Sequence, residues 1–120
     1  MLISARKLTG TPLLGTDGRR VGSIEEVVID RQSGQLIYTL MAPSEERERT
    51  RRGLAYPLPW QLVVYDRERS AFRLDADAEQ LKRGPSTEAD APVNWEDRVW
   101  AERLHEHYGL QPYWTVRSSS

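Results

Sequence analysis

The chain has 120 residues and a mass of 13.8 kDa, the size of one globular domain with room for an appended element. Lys and Arg number 17 and Asp and Glu 18, and the resulting net charge of −1 argues against a general binder of nucleic acid or of anionic membranes. The lack of cysteine excludes disulfides, a thiolate nucleophile and every Cys-based metal or iron–sulfur site.

The first residues hold no apolar stretch of signal-peptide length. The longest uninterrupted apolar run, Leu62–Tyr65, falls far short of the ~20 residues that cross a bilayer. We therefore expect a cytoplasmic protein without a transmembrane segment.

Residues 1–85 are predicted to be all β, because short β-branched and aromatic runs alternate with Gly, Pro and Asp. Asp17–Gly18 is typical of a tight turn, and we expect the first strand to follow it. Within that strand, apolar residues change from even-numbered to odd-numbered positions between Ile24 and Val27, which predicts a bulge.

A second strand is predicted over 35–42, joined to the first by the turn-forming residues Asp30–Gly34. Both faces of this strand are largely apolar. One face is therefore expected to fill a barrel interior, and the other to be covered by a separate element.

The segment 44–53 is highly charged and lacks apolar residues, so our main interpretation is a solvated, mobile connection. The alternative is a loop that contacts RNA or phosphate, although the interleaved glutamates weaken the field that such binding needs. Its candidate contacts are Arg47, Arg49, Arg51 and Arg52.

The remaining β region contains one proline-rich strand and one hairpin. Pro57 and Pro59 lack the N–H that a central ladder requires, so the strand around them is expected at an edge, a bulge or a corner. A hairpin follows over 62–66 and 71–75, and a short helix over 77–83 ends at Gly84–Pro85.

A long helix is predicted from Asn94, as its N-cap, to Gly109, just past its end. Helical spacing gives it two apolar stripes, which suggest two partners: its own barrel and a second molecule. The first stripe contains Trp100, Leu104 and Tyr108, and the second contains Trp95 and Val99.

Aromatic residues concentrate late in the chain, and we single them out together with Trp60. One interpretation is a hydrophobic seam that holds the tail on the barrel, and the other is a partner surface; the two can coexist. The candidate interaction residues are Trp95, Trp100, Leu104, Tyr108, Tyr113 and Trp114.

The polar residues suggest no active site. His105 and His107 are spaced by two, which points them to different sides of a helix and does not match a zinc pair. Asp17 and Asp30 are expected to bond local backbone rather than act as an acid/base pair. We therefore predict no catalytic residue, no metal and no cofactor.

The order of these segments resembles the PRC-barrel family, a small β-barrel module of the photosynthetic reaction-centre H subunit that the ribosome maturation factor shares. The tail over 108–114 looks like that of bacterial stand-alone members, many of which carry two barrel repeats. One repeat is found here, so the resemblance implies that a twin subunit supplies the second. The matching segments are Leu14–Gly18, Val21–Ile24, Val27–Asp30, Leu36–Tyr38, Pro59–Trp60 and Leu81–Pro85.

The expected fold is mainly β: a PRC-type barrel over 1–85, a linker over 86–93, and a C-terminal helix with an aromatic tail over 94–120 that packs on the barrel or on a partner subunit. The expected function is a non-catalytic protein-interaction or adaptor module, a homodimer or a partner of another protein. The alternative, by analogy of fold alone, is an RNA- or ribosome-associated assembly factor.

Overall fold

The computed structural model describes residues 2–44, 54–88 and 91–114. Short strands dominate these ranges, and helices lie at both ends, which confirms the mainly β prediction. In chain order the elements are α1 (Ala5–Leu8), β1 (Pro12–Leu14), β2 (Arg20–Ile29), β3 (Leu36–Pro43), β4 (Leu54–Pro59), a 3-10 turn (Trp60–Leu62), β5 (Val63–Asp66), β6 (Ala71–Leu74), α2 (Ala78–Arg83), β7 (Thr87–Glu88) and α3 (Arg98–His107). None of the helices in these ranges has the length and apolar character that crossing a membrane requires.

The strands form one sheet in the order β5-β6-β1-β2-β3-β4-β7. Pairing is antiparallel except between β1 and β6, which run parallel. Buried side chains from β1, β2, β3, β4 and β6 meet those of all three helices in a single core cluster. The sheet and the helices therefore enclose one core, with Leu13, Leu58, Leu74 and Leu104 fully buried in it.

Strand β2 is bent by irregular pairing with β3. The register shifts between Ile24 and Glu26, which confirms the predicted bulge, and shifts again between Val28 and Ile29. Beside the bend, Gly22 lies so close to β3 that a Cβ atom there would collide with the carbonyl oxygen of Ala42. A side chain at this position would push the two strands apart.

The sequence analysis did not predict three short elements. The expectation that the first strand follows the turn at Asp17–Gly18 was wrong, because β1 precedes that turn and pairs across it with β2. Helix α1 and strand β7, which lies inside the predicted linker, were also missed. Elements of two to four residues are too short to show the periodicity from which they would be recognised.

Strand β3 is covered on both faces, as its two apolar stripes predicted, and every residue from Ile37 to Met41 is buried. The hairpin that joins it to β2 is present, with Gly34 in the left-handed region at φ 77°. Within this run, the buried Thr39 hydroxyl donates to the Glu26 carbonyl oxygen at 2.8 Å. Thr39 is therefore buried without the energetic cost of an unpaired hydroxyl.

The prolines of β4 lie at an edge, as the sequence predicted: on its second side, this part of the strand has no partner among the described residues. Residues 56–59 pair with β3 on one side, whereas β7 pairs only with Leu54 and Ala55 on the other. Pro57 and Pro59 share one parity, so their missing N–H groups face the same edge. That edge is thereby blunted against strand addition.

Helix α3 begins three residues later than predicted, because its N-cap is Asp97 and not Asn94. Asp97 caps it by accepting from the backbone N–H groups of Val99 and Trp100. Asn94, the predicted cap, instead accepts from the N–H of Glu96 in a separate turn. Trp95 is therefore outside the helix, the second apolar stripe does not exist, and Val99 is left 64% exposed.

The C-terminal end of α3 is fixed against α2. Tyr108 and Leu81 of α2 both belong to the buried core cluster, and the Nε2–H of His107 donates to the Gln80 carbonyl oxygen at 2.8 Å. A Cβ atom at Gly84 would lie 2.5 Å from the Tyr108 hydroxyl oxygen. The absence of a side chain at Gly84 is therefore what lets α3 approach α2.

We predict that Gly84→Ala lowers the free energy of unfolding by about 1 to 3 kcal/mol, because the new methyl group overpacks against the Tyr108 hydroxyl. Urea denaturation measures the change. Tyr108→Phe, which removes that hydroxyl, is the matched control and should restore most of the loss in the double variant. Equal losses with and without Tyr108→Phe would contradict this account of the contact.

Candidate functional site

The outer face of β3 is covered by a group of rings that we call the aromatic clasp. It consists of Tyr38, Trp95, Trp100, His105, Tyr113 and Trp114. Tyr38 lies at its centre and stacks on Trp95, with ring centroids 5.2 Å apart and planes 24° apart. His105 and Tyr113 meet the same ring edge-on, at 5.6 and 6.1 Å.

Trp114 and Arg98 add further contacts to the clasp. Trp114 meets Tyr113 and His105 edge-on at centroid distances of 5.2 and 6.1 Å. The Arg98 guanidinium lies 4.6 Å from the Trp114 ring centroid, which is a cation–π contact. The first turn of α3 is therefore tied to the end of the described tail.

The six candidate interaction residues fall into two groups. Leu104 and Tyr108 are 0% and 6% exposed and belong to the chain's own core. The other four, which are half-buried members of the clasp, are Trp95, Trp100, Tyr113 and Trp114. The sequence had placed Trp95 and Trp100 on separate stripes, but their ring centroids are 5.7 Å apart.

Two polar groups inside the clasp are poorly solvated. The Tyr38 hydroxyl is buried and has no hydrogen-bond partner among the described residues. Burial raises the Tyr38 pKa, and the neighbouring Tyr113 raises it further. The Nδ1–H of His105 donates to the Ala101 carbonyl oxygen at 2.7 Å. Burial lowers the His105 pKa, and that hydrogen bond only partly offsets it.

An open cleft of about 480 Å³ lies between the clasp and the β2–β3 turn. Its polar lining consists mainly of Asp30, Arg31, Glu96 and Arg98, and it reaches the rings of the clasp. Asp30 accepts from the Gln32 N–H at 3.1 Å and from the Ser33 hydroxyl, so this carboxylate holds the turn. The cleft therefore combines aromatic faces with surface charges.

The aspartates that were weighed as an acid/base pair each stabilise a turn. Asp17 accepts from the Arg19 N–H at 2.9 Å, much as Asp30 does at the next turn. This confirms the expected bonds to local backbone. Across residues 2–44, 54–88 and 91–114, no three His, Asp or Glu side chains cluster as metal ligands. The four candidate RNA contacts, Arg47, Arg49, Arg51 and Arg52, lie outside the described residues.

A second open cavity, of about 570 Å³, lies beside α1, and we call it the N-terminal groove. One wall is aromatic: the Phe72 ring is 6.4 Å from Trp60 and 5.3 Å from Tyr65, centroid to centroid. The other apolar residues that line the groove include Leu2, Ile3, Val27, Ile29 and Leu36. No charged side chain lines the groove within the described part of the chain.

Three large apolar side chains of the groove are exposed to solvent. Leu2 is 100%, Ile29 51% and Ile3 49% exposed. The sequence analysis missed this surface because its residues come from separate segments that only the fold brings together. The one available signal was the apolar start Leu2–Ile3, which was assessed only as a targeting segment.

Comparison with family models gives a match to the PRC-barrel domain over residues 1–81. The match covers α1, the first six strands and the start of α2, and stops before the clasp residues of the tail. A search of the curated proteins found no match.

We predict that Tyr38→Phe raises the free energy of unfolding by about 1 kcal/mol, because it removes a buried hydroxyl without a partner and leaves the stacked ring in place. Urea denaturation followed by tryptophan fluorescence measures the change. Tyr65→Phe, at a half-buried tyrosine of the groove, is the matched control and should leave stability within about 0.5 kcal/mol. A clear loss of stability in Tyr38→Phe would show that the hydroxyl has a partner.

The lowered His105 pKa predicts a loss of stability in acid. Below the unfolded-state value of 6.5 the unfolded chain binds more protons than the folded one, so the free energy of unfolding falls as the pH drops from about 7.5 to about 5.5. Urea titrations across this range measure the slope. His105→Asn should be less stable at neutral pH and show a flatter slope. An unchanged slope would contradict the assignment.

Proposed function

The chain belongs to the PRC-barrel family, and we propose that it is a non-catalytic protein-interaction module that works by association with a second copy or with another protein. Two features of the structure support the proposal. The polar side chains that were candidates for catalysis bond the chain's own backbone, and apolar side chains remain exposed at the N-terminal groove.

The polar groups that might have formed an active site maintain the fold. Asp17 and Asp30 hold two turns, while His105 and His107 bond backbone carbonyl oxygens of α3 and α2. Catalysis by a side chain needs a donor or acceptor directed at a substrate. These four side chains are directed at the chain's own backbone, which favours a binding role.

The observation that carries the proposal is the open apolar surface of the N-terminal groove. Ile3 and Ile29 are about half exposed and Leu2 fully exposed, around a cavity of about 570 Å³ with an aromatic wall. Contiguous open apolar surface of this kind marks sites of protein association. The half-buried rings Trp95, Trp100, Tyr113 and Trp114 offer a second candidate surface above the cleft.

The simplest form of this function is a homodimer. We predict that size-exclusion chromatography with light scattering gives the mass of a dimer at high concentration, with dissociation on dilution. Because apolar burial drives the association, added sulfate should strengthen it. A monomer at every concentration up to about 300 µM, a range that covers weak complexes, would remove self-association from the proposal.

A further inference from the structure

The aromatic clasp encloses a titratable side chain that has few polar contacts. His105 is 1% exposed, and its Nδ1–H donates to the Ala101 carbonyl oxygen. Within residues 2–44, 54–88 and 91–114, the second ring nitrogen, Nε2, has no hydrogen-bond or ion-pair partner. A proton added at Nε2 would therefore create a buried charge without a partner, which is costly.

The side chains that cover His105 are rings. Tyr38 meets it from β3 at a centroid distance of 5.6 Å, and Trp114 meets it from the tail at 6.1 Å. Aromatic rings bury the imidazole but cannot pair with a charged form of it as a carboxylate would. The closed clasp therefore favours the neutral histidine.

The surrounding charges do not compensate a charged imidazole. The Arg98 guanidinium, which lies on the Trp114 ring, has the same sign. Strand β4, which also packs on α3, contributes one titratable side chain, Tyr56, and no charged one. The charges of the cleft lie beyond the rings, because His105 is not part of the cleft lining. On α3 itself, Glu102, Arg103 and Glu106 are exposed and form no ion pair with the imidazole among the described residues.

The part of the cover that can move most easily is the end of the tail. Helix α3 is anchored in the core through Leu104 and Tyr108, and β3 is paired on both sides. Residues 110–114, which we call the strap, contain no fully buried residue. The strap meets Tyr38 and His105 through the rings of Tyr113 and Trp114. Lifting the strap therefore breaks ring contacts and leaves the core in place.

A second polar group of the clasp gains water from the same movement. The Tyr38 hydroxyl is buried and has no hydrogen-bond partner among the described residues. The Tyr113 ring covers the edge of the Tyr38 ring at a centroid distance of 6.1 Å. Lifting the strap would open this edge to water, so the closed clasp leaves two polar groups less well solvated than the open one.

We propose that the strap is an acid-released cover: when His105 takes up a proton, Tyr113 and Trp114 lift from the outer face of β3 while the sheet and α3 remain folded. Trp95 stays stacked on Tyr38 in the open form. The inference goes beyond the proposed function, because the movement lies within one chain and needs no partner.

The pH range follows from proton linkage. Burial lowers the pKa of His105 while the strap is closed, and lifting the strap returns this pKa toward its ordinary value of 6.5. The open form therefore binds the proton more readily. The open-to-closed ratio should rise as the pH falls below about 6.5, by at most about tenfold per pH unit because one proton is involved.

Fluorine NMR on the full chain labelled with 5-fluorotryptophan tests the movement. The chain has four tryptophans, whose resonances are assigned by single Trp→Phe substitutions. Between about pH 7.5 and 5, the Trp114 resonance should move toward the shift of solvent-exposed tryptophan. Trp60, which packs against Phe72 outside the clasp, is the internal control and should stay unchanged. The response should be the same in dilute and concentrated samples.

Two substitutions on α3 form a matched pair. His105→Asn removes the titrating group and should make the Trp114 resonance independent of pH. His107→Asn, at the other histidine of the helix, should leave the pH response as in the original chain, because His107 bonds the Gln80 carbonyl oxygen of α2.

A third variant keeps His105 and changes only what the strap covers. Tyr38→Phe removes the hydroxyl that gains water on opening and retains the ring that Tyr113 contacts. It should therefore raise the closed-to-open ratio roughly fivefold at each pH. The same fluorine spectra measure the ratio.

The contrary outcomes are distinct. A Trp114 resonance that does not change down to about pH 5 would overturn the proposal, and so would a change that Trp60 shares, which indicates global unfolding. A pH response that persists in His105→Asn would overturn the role of this histidine. If His105→Asn leaves the strap open at every pH, Tyr38→Phe decides, and an unchanged closed-to-open ratio in that variant would overturn the proposal.

Discussion

The stacking of Trp95 on Tyr38 is the contact on which the arrangement of the tail depends. Strand β3 lies between β2 and β4 in the sheet and is buried on both faces, so its outer face must be covered. Trp95, His105 and Tyr113 provide that cover around one tyrosine ring. Aromatic pairs of this kind add about 0.5 to 1.5 kcal/mol each beyond the area that they bury. The tail is thereby an integral part of the fold.

Because the tail covers the outer face of β3, the most exposed apolar surface lies elsewhere on the fold. The late aromatic residues, which the sequence suggested as a partner surface, are largely engaged with the chain's own β3, and the cavity richest in apolar residues lies beside α1. Ile29 lines both the groove and the cleft above the clasp, so the end of β2 separates the two. The groove is the more apolar surface, and the cleft carries the charges.

Features set by neighbouring residues could be predicted from the sequence. The bulge near Ile24, the turn ending at Gly34 and the blunted edge at Pro57 each follow from the conformational limits of a few adjacent residues. The start of α3 could not be predicted in this way, because Asn94 and Asp97 are both good caps. Only the packing of Trp95 on Tyr38, a contact between distant segments, shows that Trp95 lies outside the helix. The groove could not be predicted either, because its residues also come from segments that are distant in the sequence.

The central claim is that the aromatic tail covers β3 of its own chain and leaves the N-terminal groove as open apolar surface. Isotope-filtered NOE spectroscopy on a mixture of labelled and unlabelled chains tests it most directly. The account predicts ring contacts between Tyr38 and Trp95 only within one chain. Contacts between Tyr38 of one chain and Trp95 of the other would contradict it.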